Sequence, residues 1–144
     1  LTAEERAALQ GHVARGGTVL VDARGGDTAF AASARAELTG LLGPLHPLAA
    51  DSPLLLGRFP GGSDLGHKVR MTLAARRLLR AGGLDPRQLQ LQAVEREGRP
   101  AVLFSALDLS AALGGRGSFD AAGYRGDTAR RIVANLAGVL VQQR

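Results

Sequence analysis

The chain has no cysteine and no tryptophan, and only one lysine (Lys68) and one tyrosine (Tyr124). Without cysteine there can be no disulfide, no thiolate metal site and no thiol nucleophile. The same absence leaves the cellular compartment open, because a cysteine-free domain survives in cytoplasm and periplasm alike. With four Phe besides the one Tyr, the core must be built from Leu, Val and Ala rather than from aromatic anchors. No apolar run approaches a membrane span and no signal peptide is visible. Any membrane attachment would therefore come through segments outside this chain. The first residue is Leu1 rather than Met, so the chain is read as a single α/β domain, residues 1–144, from the C-terminal part of a longer protein.

A net charge of +5 rests almost wholly on arginine. A basic balance suits anionic partners, but abundant Ala, Gly, Arg and Leu beside a single lysine fits GC-rich bacterial codon usage better. Arg76, Arg77 and Arg80 would form one small basic face, and Arg130 and Arg131 another. Interleaved aromatics and a continuous basic stripe are both missing, so specific nucleic-acid binding is not expected.

Thr2-Ala3-Glu4-Glu5 is a capping box that starts a helix running to about Arg15, with Leu9 and Val13 on one face. Gly16-Gly17 ends it. Thr18–Val21 is a β-prone run without polar alternation, which predicts a central, parallel strand buried on both faces. Asp27 or Thr28 caps a second helix, Ala29–Leu42, with Phe30, Ala34, Leu38 and Leu41 as its stripe. A long irregular stretch follows from Gly43 to Gly66, rich in proline and pinned by a short helical turn at Leu54–Leu56.

Thr72–Arg80 reads as helix. Gln88–Val94 alternates strictly, which predicts a half-wet strand near a sheet edge. Glu97-Gly98 turns it into a second strand, Ala101–Phe104, making a hairpin near 88–105. After a glycine-rich segment, Gly114–Gly126, a last helix starts near Asp127 with Ile132, Val133, Leu136, Leu140 and Val141 as its apolar stripe.

The stretches "LTAEERAALQGHVARGGTVLVDARGGDTAF", "LQAVEREGRPAVLFSALDLSAALGG" and "GYRGDTARRIVANLAGVLV" carry a resemblance. In this order they resemble an uncharacterised bacterial family, domain of unknown function four-one-five-nine, over nearly the whole chain. The resemblance implies a class I glutamine amidotransferase-like fold: a three-layer, doubly wound, flavodoxin-like (Rossmann-like) α/β structure. It also implies membership of larger exported or membrane-attached proteins, so a periplasmic or membrane-associated setting. Family members carry one or two further strands and a helix before the position matching Leu1. A sheet lacking those N-terminal strands would have an edge that needs a partner or risks aggregation.

In amidotransferases of this fold class a cysteine at a strand-to-helix elbow attacks the amide. Here no thiol exists, so that reaction is excluded. Nor is the Gly-x-Ser-x-Gly elbow present. Ser105 and Asp108 follow a strand and could be nucleophile and orienting acid, but a turn and helix cap is the simpler reading. His12, His46 and His67 lack the spacing and acidic neighbours of a metal set.

Asp22 and Arg24 stand at the end of the first strand, where open α/β sheets bind ligands. Gly25-Gly26 would let a backbone approach a bound group, and the helix beginning near Thr28 offers amides to an anion. No phosphate-loop fingerprint accompanies them, and Asp22 and Asp27 would repel phosphate. The expectation is a non-catalytic binding or assembly module with no cofactor, partnered by another protein or by the rest of its parent chain. The alternatives are a ligand or hydrolase-type site made by Asp22, Arg24, Ser105 and Asp108, and anion or nucleic-acid binding by the arginine faces.

Overall fold

The computed structural model describes residues 1–66, 69–115 and 120–142. Thr2 opens helix α1 (Ala3–Ala14) with both halves of the capping box: its hydroxyl accepts from Glu5 N at 3.2 Å, and its own N donates to Glu5 Oε2 at 2.7 Å. Strand β1 is Val19–Asp22, followed by a tight turn at Arg24–Gly26. Asp27 Oδ1 accepts from Ala29 N and Phe30 N and starts α2 (Thr28–Leu42). The long connection contains the two-residue strand β2 (His46–Pro47) and the single turn α3 (Pro53–Leu56). Thr72 caps α4 (Leu73–Ala81). Strands β3 (Leu91–Arg96) and β4 (Arg99–Ser105) lead to the short α5 (Ser110–Leu113) and the closing α6 (Gly126–Gln142).

The four strands form one mixed sheet in the order β1-β4-β3-β2. β1 and β4 run parallel, Asp22 opposite Ser105, while β3 is antiparallel to both β4 and β2. The hairpin lies where the sequence puts it. Arg96 pairs with Arg99, and Glu97 and Gly98 both take positive φ (53° and 75°), the mirror-image turn that matches strand twist.

Alternate residues feed two cores. Val102 and Phe104 of β4 and Val94 of β3 pack with Val13, Ala31, Leu38 and Leu42 of α1 and α2. Leu103, Leu91 and Ala93 face the other way, onto Leu54, Leu79, Ile132 and Val139 of α3, α4 and α6. Helices therefore cover both faces of an α/β sheet.

Several expectations change. β1 is parallel but not central: it pairs with β4 alone, and Leu20 is 40% exposed because no described element covers it. An unbroken apolar run marks a buried interior only when both neighbours are present. β3 does lie near a sheet edge, second from it, with the two-residue β2 outside it. Its alternating lead-in, Gln88 to Gln90, falls before the strand rather than in it. With one parallel pair among three, the sheet is mixed rather than wound from parallel crossovers throughout. In α2 Leu38 is buried and Ala34 and Leu41 pack against the same core as expected, joined by Ala31 and Leu42, while Phe30 is 46% exposed.

The long connection is held by a residue that the apolar pattern hides. Asn135, fully buried within the α6 stripe, accepts from Ser63 N at 2.9 Å. Its Nδ2 donates to Leu54 O and Ser63 O, both at 2.7 Å. Leu54 and Leu65 are buried on either side of these bonds. Asn135→Ala strips three hydrogen bonds from buried backbone. It is expected to cost about 3 kcal/mol in urea unfolding and to speed proteolysis between residues 43 and 66; an unchanged midpoint would contradict this.

Candidate functional site

The strand ends bring three of the four sequence-selected residues together. Asp22 and Ser105 are register partners at the carboxyl ends of β1 and β4, and Ala23 N extends the ladder to Ser105 O at 3.0 Å. Past β4 the chain turns at once. Ser105 Oγ donates to Leu107 O at 2.5 Å and accepts from Leu107 N at 3.3 Å. This local turn aims Asp108 back under the Arg24–Gly26 turn.

Both carboxylates are spent on backbone amides. Asp22 Oδ1 accepts from Leu109 N at 2.9 Å, and its Oδ2 from Ser110 N at 3.0 Å. Asp108 Oδ1 accepts from Ala111 N at 2.9 Å, and its Oδ2 from Gly25 N at 2.6 Å. The three amides that open α5 thus meet carboxylate oxygens from two different strand ends. Such amides have no partner inside the helix, and negative charge beside them is favourable. Because Asp108 is 2% exposed and Ser105 fully buried, neither reaches solvent.

The third side of this knot is the segment Ala122–Tyr124. Asp108 N donates to Ala122 O and Tyr124 N to Asp108 O, both at 3.0 Å, while Ala122 N donates to Gly25 O at 3.0 Å. These approaches need glycine at two points. A Cβ on Gly123 would lie 2.7 Å from Asp108 O, and one on Gly26, at φ +72°, 2.4 Å from Ala122 O. Thr72 Oγ1 joins from α4, donating to Ala121 O at 2.8 Å and accepting from Gly123 N at 3.2 Å.

Tyr124 closes the knot from inside. It is 2% exposed, and its hydroxyl accepts from Gln90 N at 3.0 Å. Burial pushes its phenol well above the usual value. The Gln90 amide and the Ser105 side chain oppose that shift, and the Asp22 carboxylate adds to it. No spacing rule in the sequence marks Tyr124, Thr72 or Asn135 as tie points; their only signal is a polar side chain among residues that pack inside.

Arg24 does not join the knot. It is exposed on its turn and forms no ion pair among the described residues. His12 lies with Nε2 3.4 Å from Thr18 O, His46 is exposed in β2, and His67 falls outside the described residues. Among the described residues no group of three metal-ligating side chains gathers, and no helix is long and apolar enough to cross a membrane. Arg76, Arg77 and Arg80 are exposed on α4.

The arrangement acts chemically as a cross-link. Ser105 gives its proton to a carbonyl rather than to a base, and each oxygen of the two carboxylates already holds an amide. These features define a class: an α/β domain with helices on both faces of a mixed sheet and its strand ends locked by a partly buried carboxylate knot. Within that class the chain belongs to the family described as Domain of unknown function (DUF4159), which matches residues 1–139. No curated protein and no solved structure matches it significantly.

Tyr124 is the chain's only tyrosine, and tryptophan is absent, so phenolate absorbance reports this one site. A raised pKa means the fold holds the neutral phenol. That contribution is intact below the unfolded pKa of about 10 and is lost as the pH climbs through and above it, because the unfolded chain ionises first. Phenolate absorbance should therefore appear only together with loss of far-UV circular dichroism. A titration near pH 10 with the fold intact would contradict the buried phenol. Tyr124→Phe, which leaves Gln90 N without an acceptor, should cost about 1 kcal/mol in urea unfolding.

Proposed function

We propose that this domain is a non-catalytic binding or assembly module of a larger, envelope-associated bacterial protein. It would be built on an amidotransferase-like doubly wound scaffold that has given up its thiol. The observation that carries the reading is the open edge of β1. Among the described residues Val19-Leu20-Val21 pairs on one side only, and although the strand is short it carries no proline, no lysine and no bulge to block a further strand. Beside it lies a largely apolar groove of about 340 Å³, lined by Leu9, Val19, Val21, Phe30 and Leu38, with Glu5 and Glu37 as its charged members. The occupant that fits is an extended segment of the parent protein, adding a strand next to β1 through main-chain bonds and seating apolar side chains in the groove. The spent carboxylates and hydroxyl at the strand ends support the non-catalytic half of the reading.

Hydrogen exchange on the isolated chain and on the full-length natural protein tests it. Amides in a peptide covering residues 18–22 should exchange at least about tenfold more slowly in the full-length protein, as amides newly paired in a sheet do. Equal exchange in the two would overturn the assembly role. Ester or amide turnover that vanishes in Ser105→Ala would overturn the non-catalytic one.

A further inference from the structure

A second feature at the same end of the sheet is a cleft of about 540 Å³ between α2 and α4. It opens beyond the carboxyl end of β4. Ala106 and Leu107 lie on it just after β4, Leu91 and Gln92 come from the start of β3, and Thr28 from the start of α2. That is where open α/β sheets hold ligands, and the volume lies within the small-molecule range. The cleft is separate from the carboxylate knot, and none of Asp22, Ser105 and Asp108 lines it.

Its chemistry is one-sided. Leu78 and Leu84 line it and are 40% and 51% exposed, large apolar side chains that water now covers. Leu89 and Ala31 extend the apolar wall, and no aspartate or glutamate among the described residues contributes to the lining. Among those residues the only charged group is Arg35, half-buried on α2. Its guanidinium lies over the fully buried Phe104 ring, 4.9 Å from the centroid, and its Nη1 donates to Gln92 Oε1. Nε and Nη2 donate to no described group, and no described carboxylate neutralises the charge.

A half-buried guanidinium held over an aromatic ring is preorganised. Lacking an acidic partner, it keeps free donors and an uncompensated charge at the mouth of an apolar cleft. We infer that this cleft binds a small amphipathic carboxylate, with the anionic head on Arg35 and the aliphatic body against Leu78, Leu84 and Leu89. Arg35 is then a specificity residue. It contributes charge-assisted hydrogen bonds to the head group, while the leucines contribute apolar burial without regard to charge. This binding does not depend on the strand-addition role of β1, which uses that strand's free pairing edge, and no β1 residue lines the cleft.

Octanoate and 1-octanol separate the two contributions, read by calorimetry and by amide chemical shifts. Octanoate should bind at least about tenfold more tightly than 1-octanol, the worth of a charge-assisted hydrogen bond. Its shifts should cluster at residues 28–35, 78–92 and 106–107. Arg35→Gln should remove the preference for the anion and leave octanol binding in place, with Arg35→Lys intermediate. Leu84→Asp, at an exposed position, should weaken both probes. Equal affinity for the two probes, a preference that survives Arg35→Gln, shifts mapped elsewhere, or no binding of either probe would each overturn the inference. Should Arg35→Gln fail to fold, Arg35→Lys and the octanoate–octanol comparison on the unaltered chain still decide it.

Discussion

Two carboxylates from different strand ends converge on one turn of helix. Asp22 and Asp108 between them accept from Leu109, Ser110 and Ala111, the three amides that open α5, and Asp108 also holds Gly25. The parallel pairing of β1 with β4 puts these side chains within reach of each other. The bonds in turn fix where the chain goes after each strand. Without them Gly25 N at the Arg24–Gly26 turn and the Leu109, Ser110 and Ala111 amides at the entry into α5 would lose their side-chain acceptors. As it stands, the described residues contain no buried side-chain polar atom lacking a hydrogen bond.

The same economy recurs further from the sheet. Asn135 does for the long connection what Asp108 does for the strand ends, turning one buried polar side chain into several backbone ties. Thr128 accepts from Arg70 N at 3.0 Å and anchors the approach to α4 in that way. With few aromatics to fill space, the fold gains specificity from polar cross-links within a core of Leu, Val and Ala. Buried networks of this kind rigidify when every member is satisfied.

Local signals were legible in the sequence wherever a few neighbouring residues decide the outcome. The capping box at Thr2 and Glu5, the cap at Asp27 and the Glu97-Gly98 turn all form as the sequence implies. Asp22, Ser105 and Asp108 stand out in the sequence because each ends or closely follows a strand, and the structure brings them to one end of the sheet; Arg24 stays outside. Their use was less legible, since whether a carboxylate faces a ligand or an amide depends on what packs against it. The position of β1 was misread for a related reason. An apolar strand looks the same whether its neighbour is in this chain or absent from it, and Leu20 remains open. Tyr124 and Asn135 carried no periodic signal, because their partners lie 34 and 72 residues away in sequence.

The account stands on the carboxylate knot as a structural device, and a double-mutant cycle of Asp22→Asn and Asp108→Asn in urea unfolding tests it most directly. Each single change should destabilise the chain by about 2–3 kcal/mol, in keeping with charged hydrogen bonds to backbone amides. The pair should depart from additivity by about 1 kcal/mol, because both act on the same turn of α5. Single changes that leave stability within about 0.5 kcal/mol of the unaltered chain, or a strictly additive pair, would contradict it.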